Sequence, residues 1–214
     1  MEIVKVRLAR ATWLFDTQEL NPRGLKLYPD VFGAFSKRYQ FAVLPTAEEI
    51  RSGGSLYFRQ GKFFFEPSGE NAEVEFELHS DGLVASTRHS TEASDAFLQD
   101  SVIWFGEQLG AAYPLTLTKK RVYRDELVVS MSVSMNMNMI VTRLERLSVM
   151  LSSLSNKSTE IIGLRFGSEG GSSTLVVERR EGSPFDENRY YSAAALPTLQ
   201  HIEALNLFEQ LLAE

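Results

Sequence analysis

An α+β fold, with a largely antiparallel sheet of hairpins packed against three to four amphipathic helices, is predicted by three features of this sequence. Two-residue alternation of apolar and polar side chains runs through residues 74–78 and again through residues 127–139, the period of a strand with one apolar face. Glycine, proline and small polar residues break strand-like runs at short intervals. Four longer segments carry apolar residues at helical spacing, and their order lacks the regular strand-helix alternation of a doubly wound sheet.

Residues 3–8 alternate apolar and charged side chains and open the fold as a strand, continued through Trp13, Leu14 and Phe15. Asn21, Pro22, Arg23 and Gly24 then make a turn. Pro29 suits a first helical turn, and Val31, Phe32, Phe35 and Tyr39 recur behind it at helical spacing, with Gly33 as the weak point. Thr46 caps a short helical turn that ends at Ser52, Gly53, Gly54 and Ser55. Gln60 and Gly61 read as a hairpin turn between residues 56–59 and 62–65. With Asp81 and Gly82 as the two loop residues of the next hairpin, Ser80 faces Leu83 and Glu75 faces Arg88. That opposite-charge pair is worth a few tenths to ~1 kcal/mol.

A helix follows, capped by Ser90 or Thr91 and closed by Gly110, with Leu98, Val102, Phe105 and Leu109 as its stripe, widened by Phe97 and Trp104. It is expected to lie across the apolar face of the sheet. Leu127, Val129, Met131, Val133, Met135, Met137 and Met139 then form one strand face; Val128, Ser130, Ser132, Ser134, Asn136 and Asn138 form the other. Asn136 or Asn138 can instead cap the next helix. There Ile140, Leu144, Leu147, Leu151 and Leu154 keep a four-three spacing for about two heptads, short of the three or four of a coiled coil. Residues 160–166 and 174–179 make a further hairpin, and a last helix from Thr198 turns Leu199, Ile202, Leu205, Phe208 and Leu212 inward. Residues 1–214 read as a single domain, with a subdomain seam expected near 110–118.

Composition removes whole classes of function. The chain has 43% hydrophobic and 23% charged residues, ordinary for a globular protein, and no cysteine. Disulfides, thiolate chemistry, iron-sulfur clusters and cysteine-bound zinc are excluded. The net charge of −6 repels polyanions at long range, so nucleic acid is an unlikely partner. With no secretory signal pattern and no apolar run of membrane-spanning length, the expected location is the cytoplasm, without membrane attachment.

No motif fixes a reaction. His79, His89 and His201 form no metal-ligand spacing and read as surface histidines, so neither a metal nor any other cofactor is expected. The glycine-serine run of residues 167–173 lacks the lysine of a phosphate loop, and Ser52 to Ser55 are equally nonspecific. Glu75 and Glu77 share a strand face, where alternating charges usually mark the solvated side. Arg59 and Lys62 with Tyr57, Phe58, Phe63, Phe64 and Phe65 combine cations with stackable rings, but core packing explains the rings equally well. Lys119, Lys120, Arg121 and Arg124 form only a short basic run.

Two features point to association. The uncharged face of Ser130, Ser132, Ser134, Asn136 and Asn138 can be covered by another chain without burying charge. Arg189, Tyr190 and Tyr191 belong to a class of residues that anchor interfaces, although a strand end with a tyrosine in the core is the balanced alternative. The expectation is a noncatalytic interaction subunit or adaptor of an intracellular, microbial assembly, its partner another protein chain in a homo- or hetero-oligomer. An enzyme whose site assembles from Asp, Glu, Arg or Tyr distant in sequence is the alternative, followed by a weak nucleic-acid-binding protein.

Overall fold

The opening alternation becomes β1 (Glu2–Leu14), a strand of 13 residues whose Ala9, Ala11 and Trp13 are fully buried. In the computed structural model, which describes residues 1–20, 28–109, 120–132, 145–156, 159, 161–167, 173–184 and 187–213, it is followed by seven further strands. These are β2 (Leu56–Phe65), β3 (Glu70–His79), β4 (Gly82–Thr87), β5 (Lys120–Ser130), β6 (Gly163–Gly167), β7 (Ser173–Arg179) and β8 (Arg189–Ala194). The helices are α1 (Tyr28–Tyr39), α2 (Ala47–Ser52), α3 (Thr91–Leu109), α4 (Glu145–Ser155) and α5 (Thr198–Ala213), with a 3-10 turn at Thr17–Leu20. The fold is α+β and the sheet is antiparallel, as the hairpin pattern predicts. The turn at residues 21–24 and the seam near 110–118 lie outside the described residues.

The chain forms two compact bodies interleaved in sequence: Val6–Asp125 with Leu196–Thr198, and Met1–Lys5 with Glu126–Ala195 and Leu199–Glu214. The first has strand order β2-β3-β4-β1 followed by the first half of β5. The second runs from the other half of β5 through β8 and β7 to β6.

Helix α3 packs across β2 and β4 of the first body, burying Phe97, Leu98, Val102, Trp104, Phe105 and Leu109, the whole predicted stripe. Ser90 accepts the amide of Ala93 and so caps it. Helix α1 buries Val31, Phe32, Phe35 and Tyr39. Thr46 and Glu49 close a full capping box on α2: Thr46 accepts the Glu49 amide, and Glu49 accepts from the Thr46 amide. Those bonds from Thr46 to the charged form hold the Glu49 carboxyl below its ordinary range.

Two predicted turns are corrected. Gln60 and Gly61 do not reverse the chain; β2 runs straight through them, paired along its length with β3. Phe58 faces Phe76 and Gly61 faces Val74, so two residues of β2 oppose one of β3, a β-bulge with Gln60 in the left-handed region at φ 57°. Gly61 is required because a Cβ there would lie 2.4 Å from the Phe41 ring. In the next hairpin the loop residues are Ser80 and Asp81, so Leu78 faces Leu83 and Glu75 faces Ser86, not Arg88. The register is displaced by two residues, which keeps every side chain on its predicted face but changes each partner. Thr17, which opens the 3-10 turn after β1, fixes this hairpin turn, its amide and hydroxyl donating to the carbonyls of Ser80 and His79.

The α1–α3 contact carries a pH signature. Tyr39 donates its hydroxyl to Asp100, which Arg38 also grips at 3.0 Å. Burial, reinforced by the Asp100 hydrogen bond, pushes the Tyr39 phenol well above its ordinary value of 10.0. The unfolded chain releases this proton first as pH rises, so the contribution is complete below pH 10 and is lost above it. Alkaline titration followed by phenolate absorbance should show one tyrosine ionising only with unfolding, and Tyr39→Phe should remove that step.

Candidate functional site

Strand β5 begins at Lys120 rather than Leu127, and its described course ends at Ser130. Leu127, Val128 and Val129 are all buried, so the two-faced pattern does not hold at its start. Ser130 is half-buried. Ser132 is exposed and engaged: its amide and hydroxyl both donate to Glu209 Oε1, at 2.6 and 2.9 Å. Ser134, Asn136 and Asn138 lie outside the described residues.

The described start of the first predicted association patch lies beside the second. The Met131 amide donates to the Asn188 carbonyl at 3.1 Å, which sets residues 130–132 beside the start of β8. There Arg189 pairs with Glu187 at 3.2 Å, and Tyr191 is half-buried opposite Glu178. Tyr190 is fully buried beneath the Arg179 guanidinium, which is the core placement weighed for it in the sequence.

Helix α4 is the more exposed apolar surface of this second body. Its packed side chain is Ser148, whereas Leu154 is 74% and Val149 65% exposed, with Leu147, Met150 and Leu151 also exposed. Ser152 ties down the end of the helix, donating to the Ser148 carbonyl and accepting the Thr159 amide, both at 2.8 Å. Helix α5 departs from prediction in a related way. Leu199 points outward and Leu205 is buried, while the stripe includes His201, which is fully buried rather than on the surface.

In the first body, residues the sequence left unremarkable converge at one end of β2 and β3. Ser55 Oγ lies 2.7 Å from His79 Nδ1, and His79 Nε2 lies 3.0 Å from Glu77 Oε2. The other Glu77 oxygen faces Arg10 at 3.6 Å, and the Tyr57 ring meets the imidazole edge-on. Pairing of Leu56 with Leu78 brings Ser55 and His79 together across 24 residues. Beside them a cleft of about 160 Å³ has Phe32, Ile50, Leu56 and Leu78 as its apolar wall and Gly53 and Gly54 along its backbone side; His79 itself lines it. The signal in the sequence was the parity of Glu77 and His79 on one strand face, but nothing local marked Ser55.

Other polar clusters are closed. Asp95 accepts from the Trp13 indole at 2.7 Å and from Arg121 at 3.0 Å, and Arg121 stacks on the Trp13 ring. Part of the basic run is thus internally paired. Thr91 and Thr198 each accept the other's amide, and Thr198 donates to the buried Asp125, which satisfies the starts of two helices. Of the five aromatic rings considered for base stacking, Phe58 is in the core and Phe63 packs against it. Among the described residues no group of three or more His, Asp or Glu side chains is placed to hold a metal ion, and no helix is long and apolar enough to cross a membrane. No family model matches the chain, and no curated protein matches it.

Proposed function

We propose that this protein is an interaction subunit of a cytoplasmic, microbial assembly, and that it associates through α4 with a second copy of itself. The observation that carries this reading is the inverted burial of α4: a serine packs inward while five larger apolar side chains face solvent. Contiguous exposed apolar surface of this kind marks contact sites. Past Glu145 and Arg146 in its first turn, α4 carries no charged side chain over residues 147–155, so this stretch does not select a partner of opposite charge, and the four-three leucine spacing is complementary to itself. Ser130 and Ser132, with Arg189 and Tyr191, are polar groups of the same body. The lack of cysteine suits a reducing compartment.

Light scattering after size exclusion tests the reading. The expected mass is twice that of the chain, and the double variant Leu147→Glu/Leu151→Glu should return it to one chain with little change in melting temperature, because both side chains are exposed. A wild-type protein that stays monomeric at every concentration sinks the second-copy assignment; if it also retrieves no stable partner, the association reading goes with it.

A further inference from the structure

We propose that Ser55, His79 and Glu77 form a nucleophilic acyl-transfer site that hydrolyses small esters, with Ser55 as nucleophile, His79 as general base and Glu77 as the positioning residue. The association reading rests on the other body of the chain, so the two proposals fail separately. A nucleophile and base within hydrogen-bond reach, the base oriented by a third group, is the geometry such chemistry requires, whatever the fold.

The direction of the hydrogen bonds decides the assignment. An ionised Glu77 can only accept, so the proton of a neutral His79 resides on Nε2. The lone pair on Nδ1 then faces the Ser55 hydroxyl at 2.7 Å, which is the polarity a general base needs. The second serine-histidine pair in the protein has the opposite polarity. Ser192 donates its proton to the Val176 carbonyl at 2.7 Å, so it accepts from His201 Nε2 at 2.8 Å, and both residues are fully buried. That pair is structural. Ser55, His79 and Glu77 are each half-buried and reachable from solvent, and His79 also lines a cleft.

The cleft that His79 lines bounds the size of the substrate. At about 160 Å³, it is smaller than the ~300 Å³ at which drug-sized ligand sites begin, and four apolar side chains wall it. It fits a short acyl chain. In the reaction Ser55 Oγ adds to the ester carbonyl carbon as its proton passes to His79 Nδ1. The carbon–oxygen bond to the alcohol breaks, and the departing alkoxide takes that proton. Water then adds to the acyl carbon, giving its proton to Nδ1; the bond from that carbon to Ser55 Oγ breaks, Oγ takes the proton back from Nδ1, and the carboxylic acid leaves.

A fluorophosphonate probe, which forms a covalent adduct with activated serines, tests this on the full chain, with mass spectrometry to locate the adduct. The expected result is modification of Ser55 and not of Ser192, lost in Ser55→Ala and slowed ~100-fold or more in His79→Ala. Glu77→Gln offers an N–H to Nε2 and so favours the tautomer with its proton on Nδ1. It should lower kcat for p-nitrophenyl acetate ~10-fold or more with KM nearly unchanged. Because glutamine is the same size, this variant carries the test if His79→Ala fails to fold. An unmodified Ser55 in the wild type overturns the proposal, as does labelling at the same rate in folded His79→Ala or Glu77→Gln.

Discussion

Phe35→Ala is expected to destabilise the first body by about 3–5 kcal/mol, the range for removing a fully buried phenylalanine. Phe35 is where α1, α3 and the sheet meet. Its ring lies 4.7 Å from Phe105, 4.9 Å from Tyr39, 5.0 Å from Phe76 and 5.4 Å from Phe58, centroid to centroid. Phe41, Trp104 and Phe97 complete the shell. Rigid rings from several elements cannot all collapse into the vacated space, so the cavity cost adds to the lost transfer energy. Urea unfolding should show a midpoint well below wild type with Phe35→Leu between the two. A loss below ~1 kcal/mol in the alanine variant contradicts the placement of this residue at the centre of the core.

Gly82→Ala is the second large effect, and it acts through the backbone. An added Cβ would stand 2.3 Å from the carbonyl oxygen of Trp13 and 3.3 Å from Leu14 Cα. No flexible side chain is available to yield, so β1 and β4 must separate where Leu14 pairs with Gly82. Overpacking of this kind costs about 1–3 kcal/mol, and the loss should sit toward the upper end because ladder hydrogen bonds are strained with it. Thermal unfolding compared with wild type checks it, and amide exchange should quicken at Phe15 and Thr17, whose amides bond to the Asp81 and Ser80 carbonyls. An alanine variant as stable as wild type contradicts the observed register.

The same glycine shows why part of the fold was legible and part was not. A glycine after an aspartate reads as a hairpin turn, because turn chemistry is local. Its actual role, passing beneath the Trp13 carbonyl, depends on a strand more than sixty residues away in sequence. Gln60-Gly61 misled for a related reason, since a left-handed residue followed by glycine serves a bulge as well as a turn. Signals that act over three or four residues are readable: the Thr46 cap and the α3 stripe are where the pattern puts them. The apolar alternation places the start of β5 at Leu127 rather than Lys120, because Lys120, Arg121 and Arg124 carry charge on a strand whose buried residues come later.

For the sites, the leucine spacing of α4 was visible, but periodicity alone does not say which side of a helix its own body covers. Ser148 faces inward and the leucines do not. Of the Ser55–His79–Glu77 cluster, only the shared strand face of Glu77 and His79 is legible. The cluster itself exists only once β2 and β3 pair, and either histidine of the hairpin could have been an ordinary surface side chain. Likewise His201 gave no sign in the sequence of the buried bond it makes with Ser192.

The association through α4 is tested most directly by hydrogen exchange of residues 145–155 across a dilution series. Amides of an exposed helix exchange by local opening, and covering its apolar face raises the free energy of that opening. Association through α4 predicts protection of this helix that grows with protein concentration and vanishes in Leu147→Glu/Leu151→Glu, while α3 is unchanged. Exchange in residues 145–155 that is equally fast at every concentration, in a protein whose mass stays that of one chain, contradicts it.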